Sequence, residues 1–563
     1  MPKGLMVLEE KRLERLPPEE LALHLMRMPA KKRLETVLSR VDAEAVVAAL
    51  APQDFYFSVK EIGADDALPL LALARVEQIN HLFDLEWWQK DSVAPAKAVD
   101  WLERLALASR EKLLAWLQDA DFELLVILFK RWISVTTVPE DVDLLEARDK
   151  LPLNTLDDLY YWESRYPQYE GFIKDLLSLL FEVHQGFYKE LMDHILWAAD
   201  VEMEEDAYRF HKGRLEDLAI PDFYDALEIY RSLRPEEMAL RKEPALLKPE
   251  GASIPCFALA LVPQGDLLQL SLQGIGDPLL LDSLQVELAN LANKVIVADQ
   301  LQADDPEALR RAVDKTVACV NLGLDLKSAG DLKLSIEVLG STFLEHLFRL
   351  GQEEVANLRN RMKNLQLQGW FSRWPGGLRC LEPYWLESAE ALLRKTPRLM
   401  RAPSESHASR HEDFFRTRKD LFEGKRLIDL FTALGPLFDA LQVEADPLMD
   451  GLWKGGLVRS VEDVTLGLMI YTAAARFRQD GEWVVKPLAI TKWPAAFSML
   501  LPDPLEKLIR SWIDRIVPDA SQREMVSAYL DPLFREYAEE MRPFTGGTPP
   551  DPRLVKHFLF SAD

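Results

Sequence analysis

Through the N-terminal quarter of the chain, apolar side chains recur at i, i+3 and i+4, the spacing that lays three of them on one face of a helix. The triple occurs at Leu34/Val37/Leu38, Val46/Ala49/Leu50, Leu68/Leu71/Ala72, Ile79/Leu82/Phe83, Leu102/Leu105/Ala106, Leu113/Trp116/Leu117 and Phe122/Leu125/Val126. Successive triples begin 12, 22, 11, 23, 11 and 9 residues apart, so the repeated unit is one short helix plus a turn. Pro17, Pro18, Pro29, Pro52, Gly63 and Pro95 fall in the gaps, where a missing N–H or a positive φ is tolerated. Helices of two or three turns are marginal alone and bury their stripes only against neighbours. The pattern predicts an α-superhelix or solenoid over residues 1–133; a compact irregular bundle would use the same stripes.

Beyond it, residues 134–168 read as an acidic, proline-containing connection with room for one short helix. A strong helix follows, with Ile173, Leu176, Leu177, Leu180, Phe187, Leu191 and Ile195 on one face and His184 inside the stripe. Further helical stripes lie at Leu284/Leu288/Leu291/Val295, in "RAVDKTVACVNLGLDL", in "FLEHLFRLGQEEVANLRNRM", and near the C-terminus in "LEKLIRSWIDRIV" and "MVSAYLDPLFREYAEEM". The one β signal is "FALALVPQGDLLQLSL", which suits either a hairpin or a helix starting at Asp266. The fold class is therefore all-α: a superhelix of short helices, then larger helical domains over 169–247, 248–393 and 427–563, with at most a minor hairpin. A basic loop and helix start occupies 394–426, and the segment after Met541 ends in an apolar patch expected to dock back on the body.

Composition narrows the function. The 67 basic and 92 acidic side chains leave a formal charge of −25, which repels a phosphate backbone or an anionic bilayer. Nucleic-acid binding is disfavoured. Cys256, Cys319 and Cys380 are far apart and form no CxxC pair, which fits a reducing compartment. The longest uncharged stretch, Gly251 to Gly265, is fifteen residues with two prolines, against the roughly 20 apolar residues of a spanning helix. With no export signal legible at the N-terminus, the expectation is a cytoplasmic protein without membrane insertion.

Within "HLFDLEWWQKD", Trp87 continues the stripe Ile79/Leu82/Phe83 and belongs to the core. Trp88 is turned about 100° from it, on the face of Asp84 and Asp91, and either covers the end of the stack or anchors a partner. The densest chemical cluster is "FEVHQGFYKELMDHILWAADVEMEEDAYRFHKGRLED". There Glu190 and His194 are i, i+4 neighbours and Glu204 and His211 are i, i+7. With His184 they could converge on a divalent metal, or His184 is a core histidine and the Glu/His pairs are solvated. Neither HExxH nor the Glu-x-x-His spacing of di-iron bundles occurs.

A second cluster spans Arg394 to Arg426, with ten basic and five acidic residues. Arg416, Arg418 and Lys419 are its candidate contacts for an anion or an acidic partner, and His407 and His411 share a face if the segment is helical. The other reading pairs the segment with the protein's own acidic surface. No P-loop, GxSxG or complete dinucleotide fingerprint is present.

The stretch "LPPEELALHLMRMPAKKRLETVLSRVDAEAVVAAL" resembles the N-terminal superhelical domain of the MgtE magnesium transporters, itself similar to the middle domain of the flagellar switch protein FliG. That resemblance covers about the first fifth of the chain and implies a superhelix that senses magnesium or docks proteins. "APQDFYFSVKEIGADDALPLLALA" and "YRFHKGRLEDLAIPDFYDALEIY" are similar to a bacterial family known only as a domain of unknown function, over most of the chain. The leading expectation is a helical scaffold or regulatory protein that binds another protein. The alternatives are a metal-dependent enzyme with a His/Glu site in 184–211, and a magnesium-sensing module.

Overall fold

The computed structural model describes residues 13, 15–89, 92–138, 151–198, 200–234, 253–301, 305–403, 408–454, 460–500, 505–544 and 548–561. Among them the fold is all-α with small accessory sheets. The chain divides into two compact units, Met1–Arg349 and Leu350–Asp563.

Among the described residues the first unit has, up to Trp132, the helices α1 (Pro18–Arg27), α2 (Ala30–Leu38), α3 (Ala43–Ala49), α4 (Pro52–Ile62), α5 (Leu68–Leu73), α6 (Val76–Trp87), α7 (Pro95–Ala108), α8 (Arg110–Asp119) and α9 (Phe122–Trp132). Each of the seven apolar triples marks a different one of them. The prolines work as starts: Pro18, Pro52 and Pro95 occupy the first turn of α1, α4 and α7, where no N–H is needed. Gly63, at φ 100°, ends α4. From α1 to α9 each helix packs against the next but one, α1 on α3, α2 on α4 and so on to α7 on α9.

Helix α4 carries no triple. Ser58 takes the i+3 place after Phe55 and interrupts the triple, although the helix buries seven consecutive residues, Gln53 to Val59. Its Asp54 is fully buried and accepts hydrogen bonds from the backbone N–H groups of Cys256 (2.9 Å) and Phe257 (2.7 Å), which ties α4 to a segment two hundred residues later. Burial pushes the Asp54 carboxyl up to about 6, against the opposing effect of those N–H groups. Arg33, 2 % exposed, donates to the carbonyls of Leu25 and Met28, to Ser58 Oγ and to Glu61, so α2 is fastened to the end of α1 and to α4.

Two expectations are corrected here. The helix predicted through Trp88 stops at Trp87: the backbone turns extended, and β1 (Trp88–Gln89) pairs antiparallel with β2 (Ser92–Val93). Asp91 lies outside the described residues. The supposed connection after Trp132 holds a three-stranded antiparallel sheet, β3 (Ile133–Thr137), β4 (Asn154–Thr155) and β5 (Tyr160–Ser164), with β5 central. Its sequence signal was present in "ISVTT" and "YYWES", β-branched and aromatic runs suited to a half-buried pleat; Trp162 is fully buried.

Next come α10 (Glu170–Val183), α11 (Gln185–Trp197), α12 (Asp200–Asp217) and α13 (Phe223–Leu227). The single helix predicted across 173–195 is thus two, broken at His184 (φ −151°, ψ 82°). They are followed by α14 (Phe257–Ala260), α15 (Leu267–Gly274), α16 (Pro278–Ala298), α17 (Pro306–Ser328), α18 (Leu332–Ser341) and α19 (Leu344–Gln368), within which the division into units falls. Of the two readings of "FALALVPQGDLLQLSL", the helical one holds, with Asp266 at the N-cap position of α15.

The second unit contains α20 (Pro383–Leu393), the hairpin β6 (Leu399–Arg401) and β7 (His411–Asp413), α21 (Arg418–Ala433), α22 (Gly435–Ala440), α23 (Ala445–Lys454) and α24 (Leu466–Asp480). Then follow β8 (Leu488–Ala489), α25 (Trp493–Leu500), α26 (Leu505–Ile516), α27 (Ala520–Met541) and β9 (Phe560–Ser561). The C-terminal patch docks as expected: Phe558, Leu559 and Phe560 are buried and β9 pairs parallel with β8.

Candidate functional site

Helix α6 is the pivot of the first unit. His81, Leu85 and Trp88 line a cavity of about 1110 Å³ whose other walls come from α4, the Ile220–Tyr224 segment and the C-terminal half of α16. The aromatic side chains of Tyr56, Phe57, Trp88, Phe223 and Tyr224 face it. Three of its lining residues carry side-chain atoms that are occluded from solvent and unpaired among the described residues: both ring nitrogens of His81, Nδ2 of Asn293 and Nε1 of Trp88. His81 is 2 % exposed and Asn293 5 %. A buried polar atom without a partner costs about 1–3 kcal/mol; the cavity beside these residues has the mostly aromatic lining with a few polar side chains that ligand sites share.

Burial pulls the His81 imidazole down to about 4, with Asp84 pulling the other way. At neutral pH the ring is uncharged, with one N–H donor and one bare acceptor nitrogen. Glu86 lines the same cavity and is neutralised locally: Lys60 Nζ lies 2.8 Å from its carboxylate and the Tyr56 hydroxyl 3.4 Å.

The far face of Trp88 rests on α12. Its indole stacks on His211, ring centroids 4.2 Å apart and planes 9° from parallel. His211 Nδ1 meets Asp84 Oδ1 at 3.1 Å, and Arg214 donates to both Asp84 oxygens at 2.7 and 2.8 Å while also pairing with Asp121. Burial alone would raise the Asp84 carboxyl, but the Arg214 and His211 hydrogen bonds outweigh it and hold the group below its ordinary value. The cluster fixes α12 to α6 behind the cavity wall.

The five residues read as a metal cluster go to separate places. His184 is exposed rather than in the core, because the chain breaks there; it caps α11, its Nδ1 accepting from the Phe187 N–H at 3.0 Å. His194 Nδ1 meets the backbone carbonyl of Glu190 at 2.8 Å and its ring packs edge-on to Phe122, while the Glu190 side chain is exposed. Glu204 pairs with Arg131. Of the five, only His211 is part of the buried cluster behind the cavity. Among the described residues no group of three or more His, Cys, Asp or Glu side chains is placed to hold a metal ion.

In the basic segment, Arg416 is partly buried, 3.7 Å from Asp413, and its N–H donates to Asp420. Arg418 and Lys419 begin α21 and are exposed. Around them Arg394, Arg401 and Arg410 pair with Glu412, Asp420 and Glu387. His411 lies in a strand rather than the helix that would pair it with His407, which is outside the described residues. His81, Glu86 and Asn293 were not singled out in the sequence. The first two sit in the "HLFDLEWWQKD" stretch that drew attention through its tryptophans; Asn293 carries no local signal.

The fold and site together define a mostly helical protein with an aromatic, partly polar cavity in its first unit. The chain belongs to the DUF6178 family, a family of unknown function whose profile matches residues 10–561. No curated protein and no solved structure gives a significant match. No described helix is long and apolar enough to cross a membrane.

Proposed function

We propose that this protein binds a small molecule in the cavity beside α6 and acts as a ligand-responsive regulatory protein. The observation that supports the reading is a cavity of about 1110 Å³ walled by the rings of Tyr56, Phe57, Trp88, Phe223 and Tyr224, with His81, Glu86 and Asn293 among its lining residues. Ligand sites have this composition: mostly apolar walls, with a few placed polar groups that fix orientation. The test is native mass spectrometry of tag-free full-length protein, followed by solvent extraction. A co-purifying molecule at near one equivalent, lost in a cavity-filling Val297→Trp variant, is the expected result. A clean apo mass, with no stabilisation by any member of a broad metabolite library, would refute it.

A second reading is favoured by the packing of α1 to α9, each helix on the next but one. Such an arrangement supports a superhelical stack that docks a protein partner, as the similarity of its first helices to the MgtE N-terminal domain suggests. Affinity capture from native lysate, with and without Mg²⁺, tests it: a stoichiometric partner is expected, and none in either condition counts against it.

A further inference from the structure

Independently of the cavity, we infer that the outer face of α21 is a docking site for an acidic segment of another protein, one that carries an apolar side chain among its carboxylates. The helix begins at a capping box: Thr417 Oγ1 accepts from the Asp420 N–H at 3.2 Å, and the Asp420 carboxylate accepts from the Thr417 N–H at 2.9 Å. From there its period divides the side chains. Leu421, Gly424, Ile428 and Phe431 are buried on one side. Arg418, Lys419, Phe422, Lys425 and Arg426 are exposed, and at 3.6 residues per turn they share an arc of about 120° with Phe422 at its centre.

The centre of the arc sets the anchor. Phe422 is 65 % exposed, the most exposed phenylalanine among the described residues. A lone apolar side chain at a surface is ordinary. One set among four cations has the make-up of an interface, where aromatic residues and arginine are enriched and an aromatic centre is desolvated on contact.

The charges set the partner. Lys419 and Arg426 have no ion-pair partner among the described residues. Lys425 lies 3.4 Å from Glu354, and Asp429, at the C-terminal end of the face, is held by Arg361 at 2.8 Å. Both pairs stand in solvent, where such contacts contribute little. The face is therefore basic, in a chain whose formal charge is −25. A nucleic-acid duplex or an anionic bilayer has the complementary sign, but either extends past a face about 17 Å long and meets the rest of a negatively charged molecule. With a Debye length of about 8 Å, attraction is confined to what touches the patch. A short acidic segment touches the patch alone, and its apolar side chain covers Phe422.

The experiment probes the full-length chain on an array of random peptides about 12 residues long, enough to span the face as a helix. The best peptides are then measured by fluorescence anisotropy, beside phosphatidylglycerol vesicles and duplex DNA. Enriched peptides are expected to set Asp and Glu around a Leu, Phe or Trp. Lys419→Glu/Arg426→Glu is expected to weaken the best of them roughly tenfold, and Phe422→Ser about fivefold. All three positions are exposed, so thermal midpoints should match wild type; Lys419→Gln/Arg426→Gln repeats the test if charge reversal disturbs the fold. Enriched peptides without carboxylates, or peptides bound equally by the variants, overturn the site. Vesicles or DNA bound more tightly than every peptide, and lost in the same variants, overturn the partner class. No enrichment at all overturns the inference.

Discussion

Trp88 lies flat on His211, and this stack joins the end of α6 to the middle of α12. The two residues are remote in sequence, and Asp84 binds His211 one helical turn before Trp88. Replacing Trp88 by Ala is expected to destabilise the first unit by about 3 kcal/mol. A Trp88→Ala/His211→Ala double-mutant cycle is expected to return a coupling of about 0.5–1.5 kcal/mol. Urea unfolding of the four proteins, with amide exchange read over α12, provides the check; strict additivity would contradict the contact.

Two buried groups give opposite pH signatures. His81 has its folded value lowered from 6.5 to about 4, so as pH falls through this window the unfolded chain takes up the proton first. Its contribution is full above 6.5 and is lost toward 4, by about 3 kcal/mol. Asp54 has its folded value raised from 3.8 to about 6, so its contribution is full below 3.8 and is lost as pH rises through 6, again by about 3 kcal/mol. Relative to wild type, His81→Leu should therefore gain stability as pH falls from 6.5 to 4, and Asp54→Asn should gain as pH rises from 4 to 6. Denaturation midpoints at four pH values decide it; parallel profiles for both variants and wild type would refute the assignment.

Gly323 of α17 faces the backbone of Leu347 in α19, and a methyl group there would collide with the Leu347 carbonyl. Backbone has no rotamer with which to yield. Gly323→Ala is expected to cost about 1–3 kcal/mol or more through overpacking, while Gly213→Ala, where nothing lies near the added carbon, is expected to be neutral or slightly stabilising. Thermal unfolding of the pair tests the close approach.

In the second unit Glu382 is buried, accepting from the Gly467 N–H at 2.7 Å and from the Tyr529 hydroxyl. Burial raises its pKa, with the Tyr529 hydrogen bond opposing. Tyr529→Phe removes a donor to a buried carboxylate and is expected to cost about 1–3 kcal/mol. Limited proteolysis of residues 350–563 in the intact chain should accelerate accordingly; unchanged cleavage would contradict it.

Each apolar triple of the N-terminal quarter fell on its own helix, and the C-terminal stripes and docking patch were equally legible. The burial of Trp87 was readable too, because it continued the stripe of Ile79, Leu82 and Phe83. These features are local: a 3.6-residue period needs no knowledge of what covers the face it marks. Helix α4 falls in a gap of the repeat where one copy is blurred, because Ser58 stands at the i+3 place after Phe55 and breaks the triple. The sheet at 133–164 was passed over because proline and acidic residues between its strands hid short β runs.

What the tertiary structure alone decided is which polar groups meet. His184, His194 and His211 looked alike as helical histidines, yet one caps a helix, one bonds a backbone carbonyl and one stacks beneath a tryptophan. The cavity depends on Asn293 of α16 and His81 of α6, two hundred residues apart, lining one space, and no spacing rule encodes that. Periodicity determines which side of an element turns inward; long-range packing determines what it finds there, and therefore which side chains come to line a common cavity.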